Sequence, residues 1–118
     1  MVITMEELRA GLVDFGDVDD PAGRRLDPVH PGHILADWMA EESLSANALA
    51  RALKVPHNRI TAIMAGKRAV SAETALRLAR YFGTSADLWM GLQAGYDQEV
   101  AERALGETID REVTPRAA

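Results

Sequence analysis

The stretch NALARALKVPHNRITAIMAGKRAVS, residues 47–71, carries five Lys or Arg residues and no Asp or Glu, in a chain of formal charge -5. The whole interval between Glu42 and Glu73 is free of acid. Clustered positive charge on one element is the footprint of a polyanion partner, whatever the total charge says. Within it, Asn58 can bond adenine N6 and N7 together, and Arg59 can bond guanine O6 and N7. Thr61 and Ala62 can pack on a thymine methyl, and His57 can reach phosphate or base. Lys67 and Arg68 suit a grip on phosphates, as do the hydroxyl of Ser45 and the amide of Asn47. The residue types are those of duplex recognition.

The elements that must present these residues are legible from periodicity. Pro31 suits a first helical position, and Ile34, Leu35, Trp38 and Met39 share one face, which predicts a helix over about 31–42. Ser45 can cap a second helix, about 46–53, with Leu49, Ala50 and Leu53 inside, broken by Lys54-Val55-Pro56. A third, about 57–65, has Ile60, Ile63 and Met64 inward and ends before Gly66. Ser71 caps a fourth, with Ala75, Leu76, Leu78, Ala79 and Phe82 inside, stopped near Gly83. Ser85 caps a fifth, with Leu88, Trp89, Leu92, Tyr96 and Val100, fading near Gly106. No segment alternates with period two over strand length, so the expected fold class is all-α, with five helices.

The second and third helices are short and joined by three or four residues, the spacing of a helix-turn-helix. In such a unit the second helix enters the major groove and its neighbours hold phosphates. A helical wheel with Ile60, Ile63 and Met64 inward leaves Asn58, Ala62 and Ala65 opposite, flanked by Arg59 and Thr61. An acid there would meet the phosphate field, whereas bases gain from counterion release, which accounts for the acid-free interval. One such helix reads only a few base pairs, so a homodimer is expected, with Trp89, Leu92, Tyr96 and Val100 as interface candidates.

Three segments are expected: an acidic N-terminal extension and linker over 1–28, the helix-turn-helix domain over 29–106, and a disordered polar tail over 107–118. Thr4 and Glu7 have capping-box spacing, and Leu8 with Leu12 could close a short helix within the extension. Residues 1–30 hold seven acids and three bases, and residues 99–118 five acids and three bases, so both ends are acidic and flexible in this reading. There is no cysteine, which removes disulfides and thiolate metal sites. No apolar run approaches a membrane span and the first residues lack the make-up of a secretory signal, so a cytoplasmic protein is expected. His30 and His33 form an H-x-x-H pair across a Pro-Gly helix start with no third ligand placed by sequence, so no metal and no cofactor are expected. No hydrolase or phosphate-loop motif occurs, and the chain does not read as an enzyme.

Several of these residues together also resemble a known family. HPG at the first helix, L-A-x-x-L in the second, R-I-x-x-I-x-x-G-K-R in the third and its exit, T-A-L-R-L-A in the fourth and F-G-T-S-x-x-x-W-x-x-L-Q into the fifth are similar to HigA-type antitoxins, kin of the lambda and Cro repressors. The resemblance covers about residues 29 to 103. It implies a lambda-repressor-like (XRE-family) domain acting as a dimeric repressor of its own operon, which also neutralises a small basic HigB-like toxin, a ribosome-dependent ribonuclease of the RelE fold. Ala46 departs from it, standing where many repressors of the wider group carry a phosphate-contacting Gln, and His33 stands where many members carry Glu. A basic toxin would gain from acidic surface, and the N-terminal extension combines its acids with Leu8, Leu12, Val13 and Phe15. Two other readings are compatible with the same residues: a stand-alone regulator with no toxin, and a protein-interaction module that has lost DNA binding.

Overall fold

The computed structural model describes residues 27–117. Among the described residues there are five helices in chain order: α1 (Pro31–Glu41), α2 (Ala46–Leu53), α3 (His57–Met64), α4 (Ala72–Phe82) and α5 (Ala86–Glu112). No strand occurs among the described residues. The expected extension, including the helix near Thr4, lies outside them up to residue 26.

Local chemistry sets the helix starts. The hydroxyl oxygens of Ser45, Ser71 and Ser85 accept from the amides of Ala48, Thr74 and Leu88, each satisfying a donor that the first turn leaves orphaned. His30 caps α1, its Nδ1 accepting from the Gly32 amide at 2.9 Å. The stops use left-handed backbone: Gly66 has φ +73° and Gly83 φ +72°, which glycine adopts without steric penalty. After α3 the amides of Gly66 and Lys67 donate to Ile63 and Ala62, a Schellman closure.

The helices bury one core. α1 packs on α3 and α5, α2 on α3 and α4, and α4 on α5. Leu35, Trp38, Leu49, Ile60, Ile63, Ala75, Leu78 and Trp89 are fully buried. At its centre Trp38 meets Trp89 and Phe82 edge-on, with ring centroids 5.0 Å and 5.3 Å apart, the geometry that ring quadrupoles favour. The Trp89 indole N–H donates to Thr84 Oγ1. At the other end, Gly32 brings α1 against the recognition unit. A Cβ there would stand 1.7 Å from the Ile63 carbonyl oxygen, so only glycine fits.

Three expectations need correction. Leu76 is 63% exposed, because the i, i+3, i+4, i+7 row of Ala75, Leu78, Ala79 and Phe82 defines the buried face and Leu76 points about 100° away from it. Trp89 and Leu92 are 0% and 7% exposed, so they close the monomer's own core and are not available to a partner copy. Helix α5 does not fade near Gly106 but continues to Glu112. Gly106 keeps negative φ, and the flanking Ala, Glu and Arg residues are strong helix formers that outweigh one glycine's cost of about 1 kcal/mol. Arg103 adds an i, i+4 pair with Glu99 at 3.1 Å.

Candidate nucleic-acid interface

Helices α2 and α3 are joined by Lys54-Val55-Pro56 alone. Lys54 takes left-handed backbone at φ +60°, and Pro56, whose fixed φ suits the position, is the N-cap of α3. With Ile60 and Ile63 buried, α3 turns His57, Asn58 and Thr61 fully outward, with Ala62 half-buried beside them and Ala65 exposed at the exit. The Thr61 hydroxyl donates back to the Asn58 carbonyl at 3.2 Å. The outward face of α3 is thus a small, polar, closely approachable surface led by an exposed amide.

Phosphate candidates flank it. Ser45 and Asn47 are exposed at the start of α2. The Ser45 oxygen accepts the Ala48 amide and so still has its O–H to give, while the first amides of α2 have no intrahelical partner. An anion there also gains from the helix dipole. Lys67 and Arg68 follow Gly66, both exposed, and neither has a carboxylate partner among the described residues.

Arg59 is placed differently from the rest. Its Nη1 donates to Glu73 Oε1 at 2.8 Å, and its side chain is only 20% exposed. Glu73 is also within 3.5 Å of Arg77 Nη2, and Arg77 in turn donates to the Leu53 carbonyl at the end of α2. Hydrogen bonding from Arg59 first, and then the charges of Arg59 and Arg77, hold the Glu73 carboxyl below its ordinary value of 4.5. The expected guanine-reading cation is therefore tied to α4 rather than presented alone. The sequence signal was available only in part: Glu73 is the acid that ends the acid-free interval, but a partner 14 residues away is not readable from spacing.

Two other residues, present in the sequence only as members of a motif and of the H-x-x-H pair, take defined places in the fold. Gln93 on α5 is buried, its Oε1 accepting the Val70 amide at 2.8 Å and its Nε2 donating to Asp97 Oδ1 at 2.9 Å. His30 is buried at 3% exposure between the Gly66 turn and the ring of Tyr96, whose centroid is 4.9 Å away. Burial first, then the neighbouring His33, hold the His30 imidazole below its ordinary 6.5, with Asp97 opposing. The H-x-x-H pair thus separates into a capping His30 and an exposed His33.

Of the four dimer candidates, Tyr96 is half-buried against His30 and Val100 is 40% exposed. Val100 is joined farther along α5 by Leu105 and Ile109, exposed at 51% and 49%, and just past its end by Val113 at 62%. None of the described helices is long and apolar enough to cross a membrane.

Comparison with known proteins places this geometry. A helix-turn-helix family profile matches residues 35–89. The structure of an addiction module antidote protein of a HigA family from Coxiella burnetii superposes with a TM-score of 0.75 at 47% identity, covering 77% of this chain and 100% of that one. The Pseudomonas aeruginosa antitoxin HigA, solved with the higBA promoter, gives 0.74 at 45% identity, covering 76% and 99%. Virulence-associated protein I of Dichelobacter nodosus is 46% identical over 85 residues, 70% of this chain and 79% of its own length. On these identities, with 79–100% of the relatives' own lengths covered, the chain belongs to the HigA family of helix-turn-helix antitoxins.

Proposed function

We propose that this protein is a dimeric, sequence-specific DNA-binding antitoxin that represses its own operon and captures a small basic ribonuclease toxin of the RelE fold. The observation that carries the DNA half is the outward face of α3, where Asn58, His57 and Thr61 stand exposed between two phosphate-suited flanks, Ser45 with Asn47 and Lys67 with Arg68. Asn58, His57, Thr61 and Ala62 are assigned to base edges. Arg59, held by Glu73, reaches a base or phosphate only by exchanging that partner. A relative of 45% identity, solved with the higBA promoter, supports the same use of the fold.

Dimerisation is assigned to Leu105 and Ile109, exposed and one turn apart on α5, in place of Trp89 and Leu92. Two copies of α3 must stand about 34 Å apart to meet successive major grooves on one side of the duplex. Toxin capture is assigned to the acidic N-terminal extension, whose charge suits a protein that must itself bind RNA.

The test separates the two activities. Deletion of residues 1–26 keeps Asp27, which pairs with Arg103 of α5 at 3.2 Å, and keeps the His30 cap. The truncated protein is expected to retain operator binding and to lose toxin affinity, most visibly at low salt. Undiminished capture would move the toxin site onto the folded domain. Absence of any binding to the promoter of its own gene by the intact chain would remove the repressor reading.

A further inference from the structure

We infer that Gln93 is a positioning residue for DNA binding: its buried side-chain amide fixes the backbone of the turn that carries Lys67 and Arg68 and fastens it to α5. The inference rests on the assignment of that turn to phosphates and adds a residue far from the recognition helix in sequence.

A buried amide in an apolar core is costly unless both its ends are satisfied. Both ends of Gln93 are: the Val70 N–H donates to Oε1 at 2.8 Å, and Nε2 donates to Asp97 Oδ1 at 2.9 Å. Asp97 accepts only, so it sets the orientation of the amide and directs the carbonyl oxygen at Val70. Val70 lies between α3 and α4, outside any helix, and its amide is met by a side chain 23 residues away. Its own side chain is 2% exposed in the core. The other end of the turn is equally fixed, by the Schellman closure at Gly66 and the packing of Gly66 on His30. Lys67, Arg68 and Ala69 are thereby strung between two anchored points, all three exposed. A leucine at 93 could fill the volume but would leave the Val70 N–H buried and unpaired, and the second anchor would be lost.

A role confined to general stability predicts a different result from a role through the turn, and a double-mutant cycle separates them. Binding is titrated on a duplex of the protein's own promoter and on a scrambled duplex, from about 50 to about 200 mM salt. Gln93→Met is expected to weaken both duplexes by the same factor, about tenfold, the loss of roughly one charge-assisted bond. It should lower the slope of log K against log salt by about 0.9, one phosphate contact, and leave the preference at the base pair read by Asn58 unchanged. In a Lys67→Ala, Arg68→Ala background the same substitution should change nothing further. Unaltered affinity and slope, or a weakening that simply adds to that of the two cation substitutions, would overturn the inference.

Should Gln93→Met fail to fold by circular dichroism, amide exchange in the wild-type protein decides. The Val70 amide is expected to exchange far more slowly than that of the adjacent Ala69, and equal rates would overturn the inference. If the wild-type chain binds neither duplex in a salt-dependent way, the DNA-binding assignment falls with it. The exchange measurement then still reports whether the bond exists.

Discussion

Asn58 stands in the first turn of α3 with its amide exposed, which makes it the side chain best placed for a bidentate base contact. Asn58→Ala is expected to cost about 1–3 kcal/mol on the operator and to relax preference at one base pair, read by competition with single-base-pair variants of the site. Arg59 should behave differently, since its guanidinium is already occupied by Glu73. Glu73→Ala should tighten binding to operator and random DNA alike at low salt, and the gain should vanish when Arg59 is also Ala. A gain that persisted without Arg59 would mean that Glu73 acts on the phosphates directly. His30 gives a pH signature. Its imidazole is held below 6.5 in the folded chain, chiefly by burial and then by His33 against Asp97, with the Tyr96 ring packed on it. The unfolded chain therefore binds the proton more readily, so this contribution is complete above about pH 6.5 and is lost as pH falls towards the folded value. Urea melts from about pH 8 to about pH 5 should show the decline. His30→Asn, which keeps a capping acceptor but does not titrate, should flatten it. At this scale the caps were readable because they are local: Ser45, Ser71 and Ser85 each reach three residues along the chain. The pairs Arg59–Glu73 and Val70–Gln93 were not, because only the packing of α3, α4 and α5 brings them together.

The elements followed from period and punctuation, and α5 shows where that method reaches its limit. Its apolar residues fall on more than one face, so the sequence does not say which of them close the core. The fold does: Trp89 and Leu92 face α1 and α4, while Val100, Leu105 and Ile109 look outward along the helix beyond them. Trp89→Ala is accordingly expected to destabilise the monomer by about 3–5 kcal/mol, through lost contacts with Trp38 and Phe82. Leu105→Ser with Ile109→Ser should leave the thermal midpoint of a dilute sample nearly unchanged, within the range of surface substitutions, about 0.5 kcal/mol. The pair should shift the monomer–dimer equilibrium towards monomer in sedimentation. A dimer of unaltered strength would place the two-fold contact elsewhere. The end of α5 departs from the expected one for a related reason. Glycine after a periodic run commonly marks a C-terminus, but here the first proline, Pro115, comes only beyond Glu112 and helix formers continue up to it, so Gly106 is passed through.

For the molecule as a whole, the charge distribution and the fold point the same way. The cations of residues 47–71 fall on α2, α3, the turn between them and the turn after α3, while the excess of acid lies in the sequence before and after the domain. That division was visible in the sequence, because it depends on the order of residues and not on their packing. The acid-free stretch stands apart in a chain whose total charge is -5. The measurement that tests the central claim most directly is a fluorescence anisotropy titration of the intact protein against the promoter duplex of its own gene and a scrambled duplex, over a range of salt. The account predicts promoter binding tighter than scrambled by a factor of about 10³ or more, with log K falling linearly in log salt for both. Equal affinity for the two duplexes, or binding insensitive to salt, would contradict it.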